Sequence, residues 1–144
     1  MTKDHSSQNN SLFEKIKQID ENGNEFWSAR NLSKVLEYSE YRHFIPVIER
    51  AKESCINSGQ NTIDHFEDVL DMINTGKTAK RKVESVKLSR YACYLIVQNA
   101  DPSKEVVALG QTYFAVQTRL QEIQQMEVYN RLSTEDEKRL FLRN

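Results

Sequence analysis

The amino-acid sequence predicts an α+β fold that is mostly helical, with two short β-hairpins packed against helices, one of which is a long C-terminal helix. Two turn-forming segments, Asp20–Asn24 and Thr75–Lys82, each separate stretches with the pattern of β-strands. Elsewhere, apolar residues recur at the three- and four-residue steps of a helix. Only 4 Gly and 2 Pro occur in 144 residues, and this scarcity is typical of helix-rich proteins.

Composition limits the function classes. The chain is 38% hydrophobic and 28% charged, as in a globular protein of one ordinary domain. Its net charge of -1 means that nucleic-acid binding would have to depend on a local basic patch. No apolar run approaches the ~20 residues of a membrane span, and the polar N-terminus lacks a signal-peptide core. Cys55 and Cys93 have no zinc-type spacing and are expected to be buried thiols, which favours a cytoplasmic protein without a membrane partner.

The N-terminal part is expected to contain a disordered tail, residues 1–11, and then a β-hairpin. Phe13–Ile19 and Glu25–Ala29 both show apolar alternation. The Asn22-Gly23 step between them is a strong hairpin signal. The first two strands are therefore placed on either side of this turn.

Two helices joined at a corner are expected next. Ser28 is a suitable N-cap for a helix that ends near Tyr38. The second helix spans residues 40–56, and Pro46 is tolerated only in a first turn. Either the regular helix begins near Ile45, or an earlier turn is kinked. Because the proline interrupts the would-be recognition helix, the pair is interpreted as a core corner rather than a DNA-reading helix-turn-helix.

Residues 66–88 are interpreted as a second hairpin. The first part also fits a helical period, but Val83–Leu88 has the pattern of a returning strand. Thr75–Lys82 is expected to be a basic loop between the two strands. Ser89 then caps a further helix that ends near Gln98.

A long helix is expected from Ser103 onward, with heptad a and d spacing. Its spaced apolar residues are Val106, Leu109, Tyr113, Val116, Leu120 and Ile123. The pattern covers fewer heptads than a coiled coil requires, so packing on its own domain is favoured over a homodimer, which stays the alternative. A capping box at Ser133 restarts a helix. Residues 12–132 are therefore assigned to one domain, and 133–144 to the start of a truncated C-terminal region.

Positive charge is concentrated around the second hairpin, where residues 77–90 contain six basic residues and one acid. A basic loop between strands can contact phosphates as a wing does, and a Tyr beside an Arg can stack on an unpaired base. The candidate nucleic-acid-binding residues are Arg30, Lys34, Tyr41, Arg42, Arg50, Lys77, Lys80, Arg81, Lys82 and Arg90.

Patterns typical of enzymes are weak. Gly76-Lys77-Thr78 lacks the second glycine of a P-loop, because position 71 is Asp. The spacing of Asp64 and Asp68 fits a solvent-exposed acidic face better than a nuclease metal site. None of the three histidines has an identifiable nucleophilic partner. No enzymatic activity, metal or cofactor is therefore predicted.

Long unbroken strings carry a family resemblance: WSARNLSKVLEYSEYRHFIPVIERAKESC, DHFEDVLDMI, LSRYACYLIVQNADPSKEVVALGQTYFAVQTR and DEKRLFLRN. From Phe13 to Asn144 the chain resembles the bacterial DNA-damage-inducible protein D family. The N-terminal part of that family is similar to the Bro-N domain of phage and baculovirus proteins.

The resemblance implies a non-enzymatic DNA-binding regulator of the bacterial DNA-damage (SOS) response. It implies action on single-stranded DNA or on recombinase filaments, with a RecA-type recombinase as a candidate partner and recombination as the regulated process. It supplies no catalytic residues. The alternative is a protein-binding regulator or dimerisation module without DNA contact, in which the long helix binds a partner or a second copy.

Overall fold

A computed structural model describes residues 12–76 and 78–131, and it confirms the α+β class. The expected N-terminal tail, Lys77 and the helix expected after Ser133 lie outside the described residues. Described residues up to Phe114 belong to one compact unit, and Ala115–Arg131 belong to a second.

The first hairpin is present but short. Strands β1 (Gln18–Ile19) and β2 (Glu25–Ser28) pair antiparallel. Between them the Asp20 carboxylate accepts the backbone N–H groups of Asn22 and Asn24, each at 2.9 Å. Gly23 follows with a φ of 82°, a conformation that glycine adopts without steric cost. The Asn-Gly signal is thus confirmed.

The strand predicted over Phe13–Ile19 is wrong for its first part, because residues 12–16 are helical. Phe13 is fully buried, with its ring centroid 5.4 Å from those of Tyr113 and Phe114. The Trp27 Nε1–H group donates to the Phe13 carbonyl at 3.0 Å. These distant partners, rather than the local alternation, determine the conformation.

The corner of two helices is confirmed. Helix α1 (Ala29–Val35) is capped by Ser28, whose Oγ accepts a first-turn N–H at 3.4 Å. A 3₁₀ turn over Tyr41–His43 leads into helix α2 (Ile45–Asn57). Pro46 lies in the first turn of α2, where its missing N–H removes no helical hydrogen bond. The regular helix therefore begins at Ile45, in agreement with one of the two predicted alternatives.

The second hairpin is confirmed over residues 66–88, and its returning strand is longer than expected. Strands β3 (Phe66–Asn74) and β4 (Lys80–Leu88) have nine residues each and pair antiparallel. The sheet order is β1-β2-β4-β3, so β3 lies at an edge. The predicted loop Thr75–Lys82 is too long, because Lys80–Lys82 pair with Met72–Asn74 as part of β4. Extending the ladder provides hydrogen bonds for backbone groups that a loop would leave to water.

Two further helices complete the described chain. Helix α3 (Arg90–Asn99) is capped by Ser89, whose Oγ accepts the Ala92 N–H at 3.0 Å. Helix α4 (Glu105–Arg131) is the expected long helix. Its first part buries Val106 and Tyr113, which occupy positions of the heptad pattern.

One hydrophobic core lies within the first unit. Its largest fully buried side chains include Trp27, Phe13, Phe44, Phe114, Leu32, Leu36, Ile48, Leu88, Ile96 and Val97. Cys55 and Cys93 are buried and free, and burial raises the pKa of both thiols. Among residues 12–76 and 78–131, no helix has the length and hydropathy needed to cross a membrane.

The second unit is represented by the part of α4 from Ala115 to Arg131. Several of its apolar side chains are exposed: Val116, Leu120, Ile123, Met126 and Val128. The heptad spacing therefore continues along α4, but its apolar side chains are mostly buried in the first part of the helix and exposed in the second.

Candidate nucleic-acid interface

The outer end of the β3–β4 hairpin is basic. Lys80, Arg81 and Lys82, here called the basic tip, are exposed and pair with Met72–Asn74. Because side chains alternate along a strand, Lys80 and Lys82 project from one face of the ribbon and Arg81 from the other. The basic tip therefore offers positive charge on both faces of a two-stranded ribbon.

The inner end of the hairpin is acidic. Glu67 and Asp68 on β3 are exposed, as is Glu84 on β4. Lys87 is also at this end, but its Nζ is 3.0 Å from an oxygen of the Asp20 carboxylate. The pKa of Asp20 is lowered, chiefly by the Asn24 backbone N–H and then by Lys87. The hairpin is thus polarised, with its available positive charge at the outer end.

A groove of about 460 Å³, here called the tip groove, lies between α1, the turn that follows it, and the outer half of β3. Arg30, Lys34 and Tyr41 line it on one side, and Asp71–Asn74 line it on the other. Three candidate residues thus line the groove, and the three residues of the basic tip lie on β4, the strand that pairs with its β3 wall.

Arg30 and Tyr41 form a stacked pair within the tip groove. The Arg30 guanidinium carbon lies 4.2 Å from the centroid of the Tyr41 ring. Arg30 Nε also donates to the Glu84 carbonyl at 2.6 Å, which fixes the side chain against β4. Burial raises the pKa of the Tyr41 hydroxyl, and Arg30 opposes this effect. Tyr41 is therefore a neutral, half-buried ring held beside a cation.

Polar contacts that are not apparent from the sequence hold this region together. Ser28 Oγ donates to Asp71 Oδ2 at 2.6 Å and lies 3.4 Å from Ser85 Oγ. The Arg30 backbone N–H also donates to Ser85 Oγ, at 3.4 Å. The sequence indicates Ser28 only as a helix cap. The strand period of residues 83–88 can assign Ser85 to a face but cannot identify these partners.

Arg42 and Arg50 do not line the tip groove. Arg42 is an exposed residue that forms an ion pair with Glu40 at 3.1 Å. Arg50 Nη2 donates to the Asn99 carbonyl at 3.2 Å, which connects α2 to the end of α3. The structure therefore separates Arg50 from the groove residues.

Arg90 is engaged in the fold. Its Nε and Nη2 atoms donate to the two carboxylate oxygens of Glu25, each at 2.5 Å. The Arg90 side chain is only 12% exposed, and its guanidinium lies over the Trp27 ring. This bidentate geometry joins β2 to α3 and places Arg90 outside the lining of the tip groove.

A serine–histidine contact occurs away from the groove. His65 Nδ1 lies 2.7 Å from Ser89 Oγ, and the same Oγ caps α3 by accepting the Ala92 N–H. The contact therefore joins the start of β3 to the cap of α3. Within the described ranges, no three His, Cys, Asp or Glu side chains are grouped to bind a metal ion.

The sequence of residues 15–115 matches a family described as the BRO family, N-terminal domain. The chain belongs to this family. The matched BRO N-terminal domain ends one residue after Phe114, the last residue of the first compact unit. It contains both the basic tip and the tip groove. The assignment of residues 12–132 to one domain stays a prediction.

A curated relative extends the match beyond the BRO N-terminal domain. The chain is 63% identical over 132 residues to DNA damage-inducible protein D of Escherichia coli strain K12. The alignment covers 92% of this chain and 48% of the relative, so the chain spans about half of that protein's length. The resemblance inferred from the sequence is confirmed. No solved structure matches the chain.

Proposed function

We propose that the chain is a non-enzymatic DNA-binding protein of the DNA-damage response, with the basic tip and the tip groove as its interface. The supporting observation is that Arg30 and Lys34 share the groove with the strand that pairs with Lys80–Lys82. The name of the relative concerns DNA damage and supports the setting. In more detail, we propose that the protein acts in the SOS response in the cytoplasm. There it binds single-stranded DNA or RecA-type recombinase filaments and regulates recombination.

The proposed contacts are directed to the DNA backbone. Lys80, Arg81 and Lys82 neutralise phosphates, and Arg30 and Lys34 hold the strand along the groove. Such contacts are independent of sequence and become weaker as salt is raised. The net charge is -1, so attraction depends on this local surface rather than on the field of the whole protein. Tyr41 provides a ring on which an unpaired base can stack.

The experiment replaces Lys80, Arg81 and Lys82 together with Ala and measures affinity for single- and double-stranded oligonucleotides over a series of salt concentrations. We expect weaker binding and a salt slope reduced by roughly one unit for each phosphate that the variant no longer neutralises. The charge-matched control replaces Lys15, Arg119 and Arg131, which are exposed and do not line the tip groove. Equal weakening in both variants, or unchanged binding by the first, would refute the proposed interface.

Protein binding through residues 115–131 is the second candidate. Val116, Leu120 and Ile123 are 49%, 46% and 39% exposed although they keep a heptad spacing. Such a stripe fits a partner helix, which would be a homodimer partner or a recombinase. Removing residues 119–144 tests this candidate separately from DNA binding.

A further inference from the structure

Strand β3 is a nine-residue edge strand. It pairs with β4 on one side and with no other strand among residues 12–76 and 78–131. An edge strand of this length is a template for pairing with another chain unless it is covered. The direction of its backbone groups therefore decides what it can bind.

Two hydrogen bonds fix which backbone groups face outward. The Thr75 N–H donates to the Ala79 carbonyl at 3.1 Å, and the Ser89 N–H donates to the His65 carbonyl at 3.1 Å. Antiparallel ladders alternate between residues that bond to the partner strand and residues whose N–H and C=O groups point away. Odd-numbered residues of β3 therefore bond to β4. The outward-facing residues are Phe66, Asp68, Leu70, Met72 and Asn74.

The opposite edge of the hairpin is covered near its inner end. There β4 pairs with β2 through Leu88 and Lys87, and Arg30 Nε donates to the Glu84 carbonyl. By contrast, no described residue forms a hydrogen bond with the outward backbone groups of Asp68 or Leu70. The outward backbone groups of Asp68 and Leu70 are thus available, whereas the Glu84 carbonyl and the Leu88 end of β4 are already used.

The side chains around the free edge are acidic and apolar. Leu70 is 63% exposed, and Met72 is 54% exposed. A groove of about 410 Å³, here called the edge groove, lies between Asp68–Leu70 and α2. Three carboxylates and one ammonium group line it, together with apolar side chains. These charged lining residues are Glu49, Asp68, Glu84 and Lys52.

The charges argue against a second copy as the occupant. Antiparallel pairing of two β3 edges would bring Glu67, Asp68 and Asp71 of both chains into one sheet, and like charges at such distances are destabilising. A basic strand would instead find three carboxylates beside the edge groove. Charge complementarity therefore selects a basic partner.

We propose that β3 accepts an added strand from a partner protein, an extended segment in which basic residues alternate with apolar ones. Main-chain hydrogen bonds to Asp68, Leu70 and Met72 provide the pairing, as in other cases of strand addition. Alternate side chains of the added strand then lie toward the edge groove, where its acids and Ile45 contact them. This site uses the acidic end of the hairpin and adjoins the proposed DNA interface, since Tyr41 lines both grooves and Met72 also lines the tip groove.

The first test uses an eight-residue capped peptide of alternating Lys and Val, with a Glu–Val peptide as the charge control. We expect the basic peptide to bind at least about tenfold more tightly, because like charges across an interface are costly. Amide exchange gives the site: the N–H groups of Asp68, Leu70 and Met72 become protected on binding, whereas those of Glu67 and Val69 are protected throughout. Protection confined to other strands would overturn the proposal.

Two further controls separate strand addition from simple charge attraction. A Lys–Val peptide that is N-methylated at alternate residues keeps its charge but cannot pair, and its affinity should fall at least about tenfold. Asp68→Lys with Glu84→Lys should reverse the preference toward the Glu–Val peptide, whereas Glu53→Lys, outside the edge groove, should not. The triple Ala variant of the basic tip should bind the peptide as the wild type does. Equal binding by the N-methylated peptide would refute strand addition.

Discussion

At the scale of single residues, the hydroxyl of Tyr113 donates a hydrogen bond to the Glu14 carboxylate. This bond is the main reason that the pKa of Glu14 lies below its ordinary value of 4.5, with Lys17 adding a smaller effect. A carboxylate with a lowered pKa stabilises the fold above its ordinary pKa, and this stabilisation disappears as the pH falls through the lowered value. The Tyr113–Glu14 hydrogen bond should thus stabilise the fold at neutral pH and not in strong acid.

We expect Tyr113→Phe to lower the free energy of unfolding by about 0.5–1 kcal/mol at pH 7. The figure is small because the Glu14 side chain is 44% exposed, and water screens the interaction. Urea unfolding at pH 7 and near pH 3 measures the effect. The two proteins should converge at the lower pH, and a constant difference would show that altered packing alone is responsible.

At the scale of elements, Gly110 shows how close α4 approaches its neighbours. A Cβ atom at this position would lie 2.8 Å from Phe13 Cζ and 3.3 Å from Val97 Cγ1. Alanine favours a helix by about 1 kcal/mol over glycine, but overpacking a core costs about 1–3 kcal/mol. Gly110→Ala should therefore be destabilising on balance.

The matched control is Ala108→Gly, because Ala108 is exposed on the same helix. This change should lower stability by about 1 kcal/mol through propensity alone. The unfolding temperatures of both Gly110→Ala and Ala108→Gly should thus lie below that of the wild type. A rise in the unfolding temperature of Gly110→Ala would mean that Phe13 yields easily, and the close packing inferred for residues 12–16 would be wrong.

Elements with local signals could be predicted from the sequence. Ser28 and Ser89 are caps, Asn22-Gly23 is a turn, and Pro46 lies in the first turn of a helix, because each effect depends on residues within one turn. The conformation of residues 12–16 could not be predicted, because Phe13 is held by aromatic rings about a hundred residues away. Side-chain packing at that separation overrides local alternation.

Some features of the candidate site could likewise be predicted from the sequence, and others could not. The charge cluster at Lys80–Lys82 is visible in the sequence, but its position in a strand depends on the ladder with Met72–Asn74. The tip groove could not be predicted, because it requires α1 to be held against the hairpin through Ser28 and Asp71. The same holds for Arg90, whose charge indicates a phosphate contact, whereas the fold pairs it with the distant Glu25.

At the scale of the whole molecule, the buried side chains and the match to the BRO N-terminal domain end at nearly the same residue. Among the described residues the last buried side chain is that of Phe114, and the family match ends at residue 115. The basic tip and the residues of the tip groove all precede this limit. The proposed DNA interface and the exposed heptad stripe of residues 115–131 therefore lie in different units of one chain.

A chain ending at residue 118 tests that assignment. It keeps every buried side chain of the described residues, so its unfolding temperature should lie within about 4 °C of the full chain, a change of about 1 kcal/mol or less. Its DNA affinity and salt slope should be unchanged, and any self-association seen by sedimentation equilibrium should disappear. Loss of DNA binding in a folded, shortened chain would place part of the DNA interface after residue 118. Loss of self-association alone would assign protein binding to the heptad stripe, since Leu120 and Ile123 are then absent while the basic tip is intact.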